Sequence, residues 1–343
     1  MEKVSVIIPV YGVEKFIAAT VQSVLGQTYE NFEILIVDDA SPDNSVAVCE
    51  QFGDQRLRIL RQANRGLAGA RNTGIRHATG EYIAFLDGDD LWQPEKLAAH
   101  VAHLERSPEV GVSFSRSEFI DEAGASLHTY LMPKLQNITV EDLFRGSPIG
   151  NGSAAVLRRE VLEAIAFEDS RHGSPEVCYF DEQFRRSEDI ECWLRIVLQT
   201  PWKIEGLPEA LTLYRVNAGG LSASLFKQLE SWEQVLAKTR TYAPELVQRL
   251  EPMGMAYQYR YLARSAIRLK AASDAARLMR RSVTTYWPIV REEPKRTLLT
   301  FVAAHLLWLL PQPLYASLER AATQITGKGQ KDQILKEQAE QAV

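Results

Sequence analysis

The strongest constraint on the fold is Gly80-Glu81-Tyr82-Ile83-Ala84-Phe85-Leu86, a run that alternates, turns wholly apolar and opens onto Asp87-Gly88-Asp89-Asp90. A strand of that composition is buried on both faces, as in parallel sheets covered by helices. Three earlier segments repeat the theme. Residues 4–11, 32–37 and 57–60 read as strands, while residues 14–25 and the small-residue segment from Asn64 to about Ala78 carry helical spacing. Four strands alternating with three helices predict a doubly wound α/β sheet. Such sheets bind ligands beyond the carboxyl ends of their strands, and the acids lie at one of those ends.

Three carboxylates within four residues repel one another unless something compensates. A hard divalent cation such as Mg²⁺ or Mn²⁺ does so, taking one or two carboxylates and completing its shell with substrate phosphates and water. An isolated acidic turn is more often a solvated loop, so what precedes and follows it gives the metal reading its weight.

Further along, Pro94 starts a helix to about Arg106, residues 110–114 form a strand, and residues 123–149 are irregular and Gly- and Pro-punctuated. Residues 154–157 read as a strand, 159–165 as a helix and 170–180 as a loop. Ser187-Glu188-Asp189 heads an apolar-faced helix, 202–214 reads as a strand pair, and 215–222 as a loop. From Leu225 everything is helical, with 257–270 and 273–286 resembling an antiparallel pair. The predicted organisation is an α/β domain over 1–222, a helical region over 223–326 and a frayed polar tail over 327–343.

A formal net charge of −5 argues against bulk nucleic-acid binding. Cys49, Cys178 and Cys192 are odd in number and widely spaced, which indicates neither a disulfide framework nor a zinc site. The six histidines show no paired spacing. The first strand begins too early for a signal peptide, and no apolar run reaches the ~18–20 residues that span a bilayer. These features predict a cytoplasmic protein, held at most at the inner face of the membrane. Residues 298–310 are apolar on most of their surface and follow a basic stretch. They read either as core for the helical region or as an interfacial anchor.

The Pro9-Val10-Tyr11 strand end, the Asp38-Asp39 pair, the Asn64…Arg71-Asn72 helix start and the Asp87-Gly88-Asp89-Asp90 turn resemble family 2 glycosyltransferases of the GT-A fold. Glu188-Asp189 heading a helix and Tyr214-Arg215…Gly220-Leu221-Ser222 agree with that resemblance, which covers about the first 220 residues. It implies inverting, metal-dependent transfer of one sugar from a nucleoside-diphosphate donor, UDP favoured, to a glycan acceptor. A lipid-linked acceptor in surface-polysaccharide synthesis would suit the possible membrane contact. By the same resemblance Pro9 and Tyr11 border the nucleobase, Asp39 accepts from a base N–H, and Arg71 lies near base and diphosphate. Asp87 serves the ribose or the metal, Asp89 ligates the metal, Asp189 is the catalytic base and Glu188 its supporting neighbour.

Several of these residues carry a second reading. Asp39 also suits a helix cap, and Glu188-Asp189 also suit first-turn acids that complement a helix dipole. The dipole weakens Asp189 as a base whereas burial strengthens it, and the balance is not readable from sequence. A catalytically silent protein on the same fold would not require Asp87, Asp89 and Asp189 together. A nucleotidyltransferase would carry a glycine- and basic-rich loop where Tyr11-Gly12-Val13-Glu14 stands. A dehydrogenase would carry GxGxxG after the first strand. A processive synthase would carry QxxRW and spanning helices.

Overall fold

The computed structural model describes residues 2–217 and 224–341. β1 (Val4–Val10), α1 (Ile17–Leu25), β2 (Phe32–Asp38), α2 (Ser45–Glu50), β3 (Leu57–Arg61), α3 (Gly66–His77) and β4 (Tyr82–Phe85) alternate as expected. β5 (Leu91–Trp92), α4 (Lys96–Arg106), β6 (Val110–Ile120), β7 (Ser126–Leu131) and α5 (Val140–Arg145) follow. A single 3₁₀ turn (Gly152–Ala154) then leads into β8 (Ala155–Arg158), α6 (Arg159–Ala164), β9 (Phe167–Asp169), β10 (Glu176–Cys178), α7 (Glu188–Gln199) and β11 (Lys203–Arg215). The remainder is helical: α8 (Leu225–Tyr242), α9 (Pro244–Arg268), α10 (Ala272–Thr285), α11 (Ile289–Glu292), α12 (Pro294–Leu309) and α13 (Gln312–Gln341).

The sheet runs β3-β2-β1-β4-β8-β6-β11-β5, with β7 added to β6. β3, β2, β1 and β4 are mutually parallel, which is the predicted doubly wound half. β8 is antiparallel to both β4 and β6, so beyond β4 the sheet is mixed. One face of the parallel half carries Val6, Ile8, Ile34, Ile36 and Ala84 against Ile17, Val21 and Val24 of α1 and Leu97, Val101 and Leu104 of α4. Full burial of each such side chain contributes roughly 1.5–3 kcal/mol. On the other face α3 lies very close to β1, because a Cβ at Gly74 would meet Ile7 at 2.4 Å. That approach explains the small residues of α3, which otherwise weaken a helix.

Contacts divide the described residues into two compact units, one of residues 1–138, 148–217 and 327–343, the other of 139–147 and 218–326. Segment 139–147, which reads as irregular, contains α5, opened by a capping box between Thr139 and Asp142. Its Phe144 meets Trp232 of α8 edge-on at 6.0 Å. The expected antiparallel pair is α9 with α10, packed through Leu262, Ala263, Ala266, Ala275, Leu278 and Met279.

Three local expectations are corrected. Residues 202–214 are not a strand pair but the single strand β11, whose register against β6 shifts between Leu207 and Ala210, around Pro208. β6 continues past Phe114 through Ser115, Arg116 and Ser117, whose polarity masks a strand; Ser117 accepts from Asn151 at 2.9 Å and Arg116 donates to the Pro208 carbonyl. Residues after 326 are helical through Gln341 rather than frayed. Gln330 bonds both backbone groups of Tyr130 at 3.0 and 3.1 Å, Ile334 is buried, and Arg116 pairs with Glu337.

One buried acid ties the sheet to the turn before β4. Glu33 Oε1 accepts from Ser5 Oγ, Thr79 N and Thr79 Oγ1, each at 2.7 Å. Burial works to raise its pKa, but the bonds from Ser5 and Thr79, with Lys3, hold it below the usual glutamate value. A depressed carboxylate contributes stability that is present above its unfolded pKa and lost as pH falls through the folded one. Glu33→Gln should therefore lower the urea midpoint at pH 7 and narrow the gap to the parent as pH drops toward 3. A gap that does not change with pH would contradict this account.

Candidate active site

The carboxyl ends of β1, β2 and β4 meet at one edge of the sheet. Tyr11 follows β1 and is 54% exposed, while Pro9 is buried within the strand. Gly12, at φ +69°, takes a left-handed conformation suited to glycine and turns the chain away. Backbone N–H groups of Gly12, Val13 and Glu14 donate to Ser41, Ser45 and Asp43, which locks the two loops together.

The Asp38-Asp39 doublet splits its work. Asp38 Oδ1 accepts from Ser41 N at 2.9 Å and closes its own turn. Asp39, 3% exposed, accepts from Gln62 Nε2 at 2.7 Å, Arg65 N at 2.7 Å and Gly66 N at 2.8 Å. It thus satisfies backbone donors at the start of α3, rather than capping α2, the helix that follows its own strand. Burial raises its pKa and these bonds only partly offset that.

The three acids after β4 are sorted by burial. Asp90 is fully enclosed, with Oδ2 accepting from Ser153 Oγ at 2.6 Å and Oδ1 from Arg215 N at 2.8 Å. Thr20 Oγ1 donates to the carbonyls of Gly88 and Asp90, and Arg215 Nε to that of Asp89. The turn is therefore pinned from three directions, with Asp90 as its anchor. Asp87 and Asp89 remain half-buried and accessible. Asp89 Oδ2 accepts from Asn217 Nδ2 at 2.6 Å. Burial, and then the charge of Asp87, push the Asp89 pKa up to about 6.

Arg71 is expected near base and diphosphate, and the fold gives it a different immediate environment. Its guanidinium is 2% exposed, donating to Glu188 Oε1 at 2.7 Å and to Asp87 Oδ1 at 2.9 Å. Phe85 and Phe180 flank it with ring centroids at 5.6 and 5.5 Å. A Cβ at Gly152 would meet Arg71 Nη2 at 2.2 Å, so only glycine fits beside it. The attraction of Asp87 and Glu188 outweighs desolvation and raises the Arg71 pKa, so the group stays charged.

Glu188 and Asp189 open α7, which Trp193, Leu194 and Ile196 anchor in the core. Ser187 ahead of them adopts φ 58°, an uncommon left-handed conformation for a serine. Burial pushes Glu188 up to about 7 even with Arg71 at 2.7 Å. Burial also raises Asp189, against the pull of Arg71 and its own bond from Ile190 N at 2.8 Å. Desolvation thus outweighs the charges and dipoles that would make Asp189 a weak base.

Several partners that shape the site are set only by the fold. Ser153 bridges Asp87 N and Asp90 Oδ2, and Asn217 reaches Asp89. Asn72 accepts from Tyr179 N and Phe180 N and donates to Phe180 O and Glu182, fixing the loop that leads to α7. Glu182 in turn receives Arg65 and His172. The expected Gly220-Leu221-Ser222 part of the following motif lies outside the described residues.

A divalent cation fits what is present. Two half-buried carboxylates on one turn, one of them pushed up to about 6 by burial and then by its neighbour's charge, form an acid pair that positive charge would relieve. Among the described residues no three His, Cys, Asp or Glu side chains gather into a metal cage. Mg²⁺ and Mn²⁺ need no such cage when substrate phosphates complete the shell.

The profile of Glycosyl transferase family 2 matches residues 5–166, which include the turn, Arg71 and the first four strands. WfgD of Escherichia coli, a UDP-Glc:alpha-D-GlcNAc-diphosphoundecaprenol beta-1,3-glucosyltransferase, is 31% identical over 234 residues, 68% of this chain and 85% of that protein. WfaP of the same organism, a glucosyltransferase of the same description, is 32% identical over 237 residues, 69% of this chain and 86% of that protein. Among solved structures, S. aureus TarS 1-349 with UDP-GlcNAc superposes with TM-score 0.55 at 19% identity, covering 88% of this chain and 79% of that one. Mannosyltransferase PcManGT from Pyrobaculum calidifontis, with GDP-Man and Mn²⁺, gives TM-score 0.55 at 23% identity, covering 89% and 86%. At those identities the structural likenesses speak to the fold, which is GT-A with a helical C-terminal region. With about a third of residues shared across most of two glucosyltransferases, and the family profile lying over the acid-bearing sheet edge, this chain is a glycosyltransferase and belongs to family 2.

Proposed function

We propose that the protein transfers one hexose from a UDP-sugar to a hydroxyl of a lipid-linked glycan, inverting the anomeric configuration, as a step in surface-polysaccharide synthesis. The observation that carries this reading is the Arg71 bridge, because it joins the acid turn and the α7 carboxylates into one site. The activities of WfgD and WfaP support the UDP donor and the diphosphate-lipid acceptor.

In this reading Tyr11 packs on the base and Pro9 lines its edge. Asp39, already holding three donors, rigidifies the base pocket and offers its remaining acceptor capacity to a base N–H. Asp87 and Asp89 hold Mg²⁺ or Mn²⁺ together with the donor diphosphate. When bound, the cation supplies positive charge to the departing nucleoside diphosphate. Asp189 takes the proton from the acceptor hydroxyl, whose oxygen attacks the anomeric carbon from the face opposite the leaving group. Glu188, fixed by Arg71, sets the local charge around Asp189. Arg71 holds Asp87 and Glu188 in register and so serves as a positioning residue.

The test is a screen of UDP-Glc, UDP-GlcNAc, UDP-Gal and GDP-Man for thermal stabilisation with Mg²⁺, Mn²⁺ or chelator. It is followed by transfer to a GlcNAc-diphosphate lipid and NMR of the product anomer. The expected outcome is stabilisation by a UDP-sugar that chelation removes, with an inverted linkage. Stabilisation by GDP-Man alone, turnover insensitive to chelation, or a retained anomer would each overturn part of the proposal.

A further inference from the structure

α12 is built inside out relative to an ordinary surface helix. Thr297, Thr300, Ala304 and Leu307, at i, i+3, i+7 and i+10, form its buried face, and Arg260 donates to Thr297 Oγ1 at 2.9 Å. Its opposite face carries Leu298, Leu299, Val302 and Leu309, with exposures of 64, 68, 43 and 66%, and Trp308, 63% exposed, stands at the C-terminal edge of the buried face. Surface helices normally turn their apolar stripe toward the core. The start of α13 repeats the feature with exposed Leu314, Leu318 and Ile325, and its Tyr315 packs in the same cluster as Ala304 and Leu307. Exposed apolar area of this kind on a soluble domain marks a contact surface.

Charge identifies the occupant. Residues 218–326 hold fifteen Lys and Arg against eight Asp and Glu, a positive surplus in a chain whose net charge is −5. Arg291 of α11 and Lys295 and Arg296 at the start of α12 are exposed, and Arg291 covers the exposed Trp287 ring at 4.5 Å. Burial, and then the charges of Arg296, Arg268 and Arg260, hold Arg264 of α9 below the usual arginine value, while Glu293 pairs with Arg260 and Arg296. From residue 297 to residue 318 there is no Asp, Glu, Lys or Arg at all. Two tryptophans flanking an apolar face, with cations at one end, match an interface whose inside is hydrocarbon and whose surface is anionic. Among the described residues no helix is long and apolar enough to cross a membrane, and a face of this kind suits lying in the interface plane rather than spanning it.

We infer that the outward face of α12 and the start of α13 dock the enzyme on anionic lipid bilayers, with Leu298, Leu299, Val302, Trp308 and Leu309 entering the interface and Arg291, Lys295 and Arg296 meeting lipid phosphates. Apolar burial and a basic patch are the two signals that stable peripheral attachment takes. The proposed lipid-linked acceptor gives such docking a purpose, but the inference rests on α12 and its charges alone.

The experiment is flotation of the full chain with vesicles of phosphatidylcholine, alone or mixed with phosphatidylglycerol, at low and high salt. The parent should float with the mixed vesicles, less so at high salt, and not with phosphatidylcholine alone. Leu299→Glu/Leu309→Glu should weaken binding by more than about tenfold while keeping the parent's thermal midpoint and its stabilisation by a UDP-sugar. Lys295→Glu/Arg296→Glu should remove the salt-sensitive part. Absence of flotation with mixed vesicles, or equal flotation by the leucine variant, would overturn the inference. So would light scattering showing a dimer that the leucine variant abolishes without any vesicle binding. Vesicle binding needs neither donor nor acceptor, so its failure leaves the glycosyl-transfer reading standing, and the reverse also holds.

Discussion

Asp189→Asn is expected to leave UDP-sugar binding close to that of the parent while transfer falls by roughly 10²- to 10⁴-fold, the usual range for a lost general base. The asparagine keeps the size of the side chain and removes only the ability to take a proton. Asp89→Asn should behave differently, because it takes a negative charge from the acid pair that would hold the cation. Donor affinity in the presence of Mg²⁺ or Mn²⁺ should fall along with turnover. The pH profile offers a second separation. Asp189 acts only when ionised, and burial raises its pKa above the ordinary aspartate value. In the parent, kcat/KM should therefore climb with pH through a limb set higher than a free aspartate would give. Glu188, pushed up to about 7, titrates in the same neighbourhood, so the limb belongs to the pair. Asp189→Asn should flatten it. Equal loss of donor affinity in both variants would contradict the division of labour between turn and helix.

Arg71→Met is expected to cost roughly 3–5 kcal/mol of stability, because breaking a buried ion set leaves its partners uncompensated. Glu188 and Asp87 both lean on the one guanidinium, and Phe85 and Phe180 enclose it away from water. Removing it would drive Glu188 further toward the protonated form and let the acid turn and the start of α7 separate. Turnover should fall even where the variant is folded, and raising the pH should not restore it. Arg71→Lys keeps the charge but not the fork that reaches two carboxylates at once, and should fall between. Urea denaturation of the three proteins, read beside donor binding, checks both parts. A methionine variant as stable as the parent would show that Arg71 does not hold the site together.

The two results rest on different kinds of information. Apolar runs at residues 4–11, 32–37 and 80–86 identify β1, β2 and β4 because burial on both faces of a sheet is written in neighbouring residues. The acids that follow them are legible for the same reason. Their roles are not. Asp87, Asp89 and Asp90 look alike in sequence, yet Ser153 and Arg215, more than sixty and a hundred residues away, enclose Asp90 and leave the other two accessible. Asp39 reads as cap or base acceptor, and only the fold shows that it holds the backbone of Arg65 and Gly66, far along the chain.

Misreadings had the same origin. Ser115, Arg116 and Ser117 look like the end of β6, but tertiary partners satisfy them and the strand continues. The polar stretch after Thr326 looks frayed, but Gln330 finds the backbone of Tyr130 on β7. Residues 298–310 permit both core and anchor, and the fold divides them, burying Ala304 and Leu307 and exposing Leu299, Trp308 and Leu309.

The sequence by itself determined the doubly wound half-sheet, the acid turn at its edge and the family resemblance, since each depends on hydrophobic period or on residues close together in the chain. Only the tertiary structure decided which acid is structural, that Arg71 joins the turn to α7, and which face of α12 meets solvent. Those outcomes depend on desolvation and on charge pairs between distant segments, and both come into being only when the chain has closed around them.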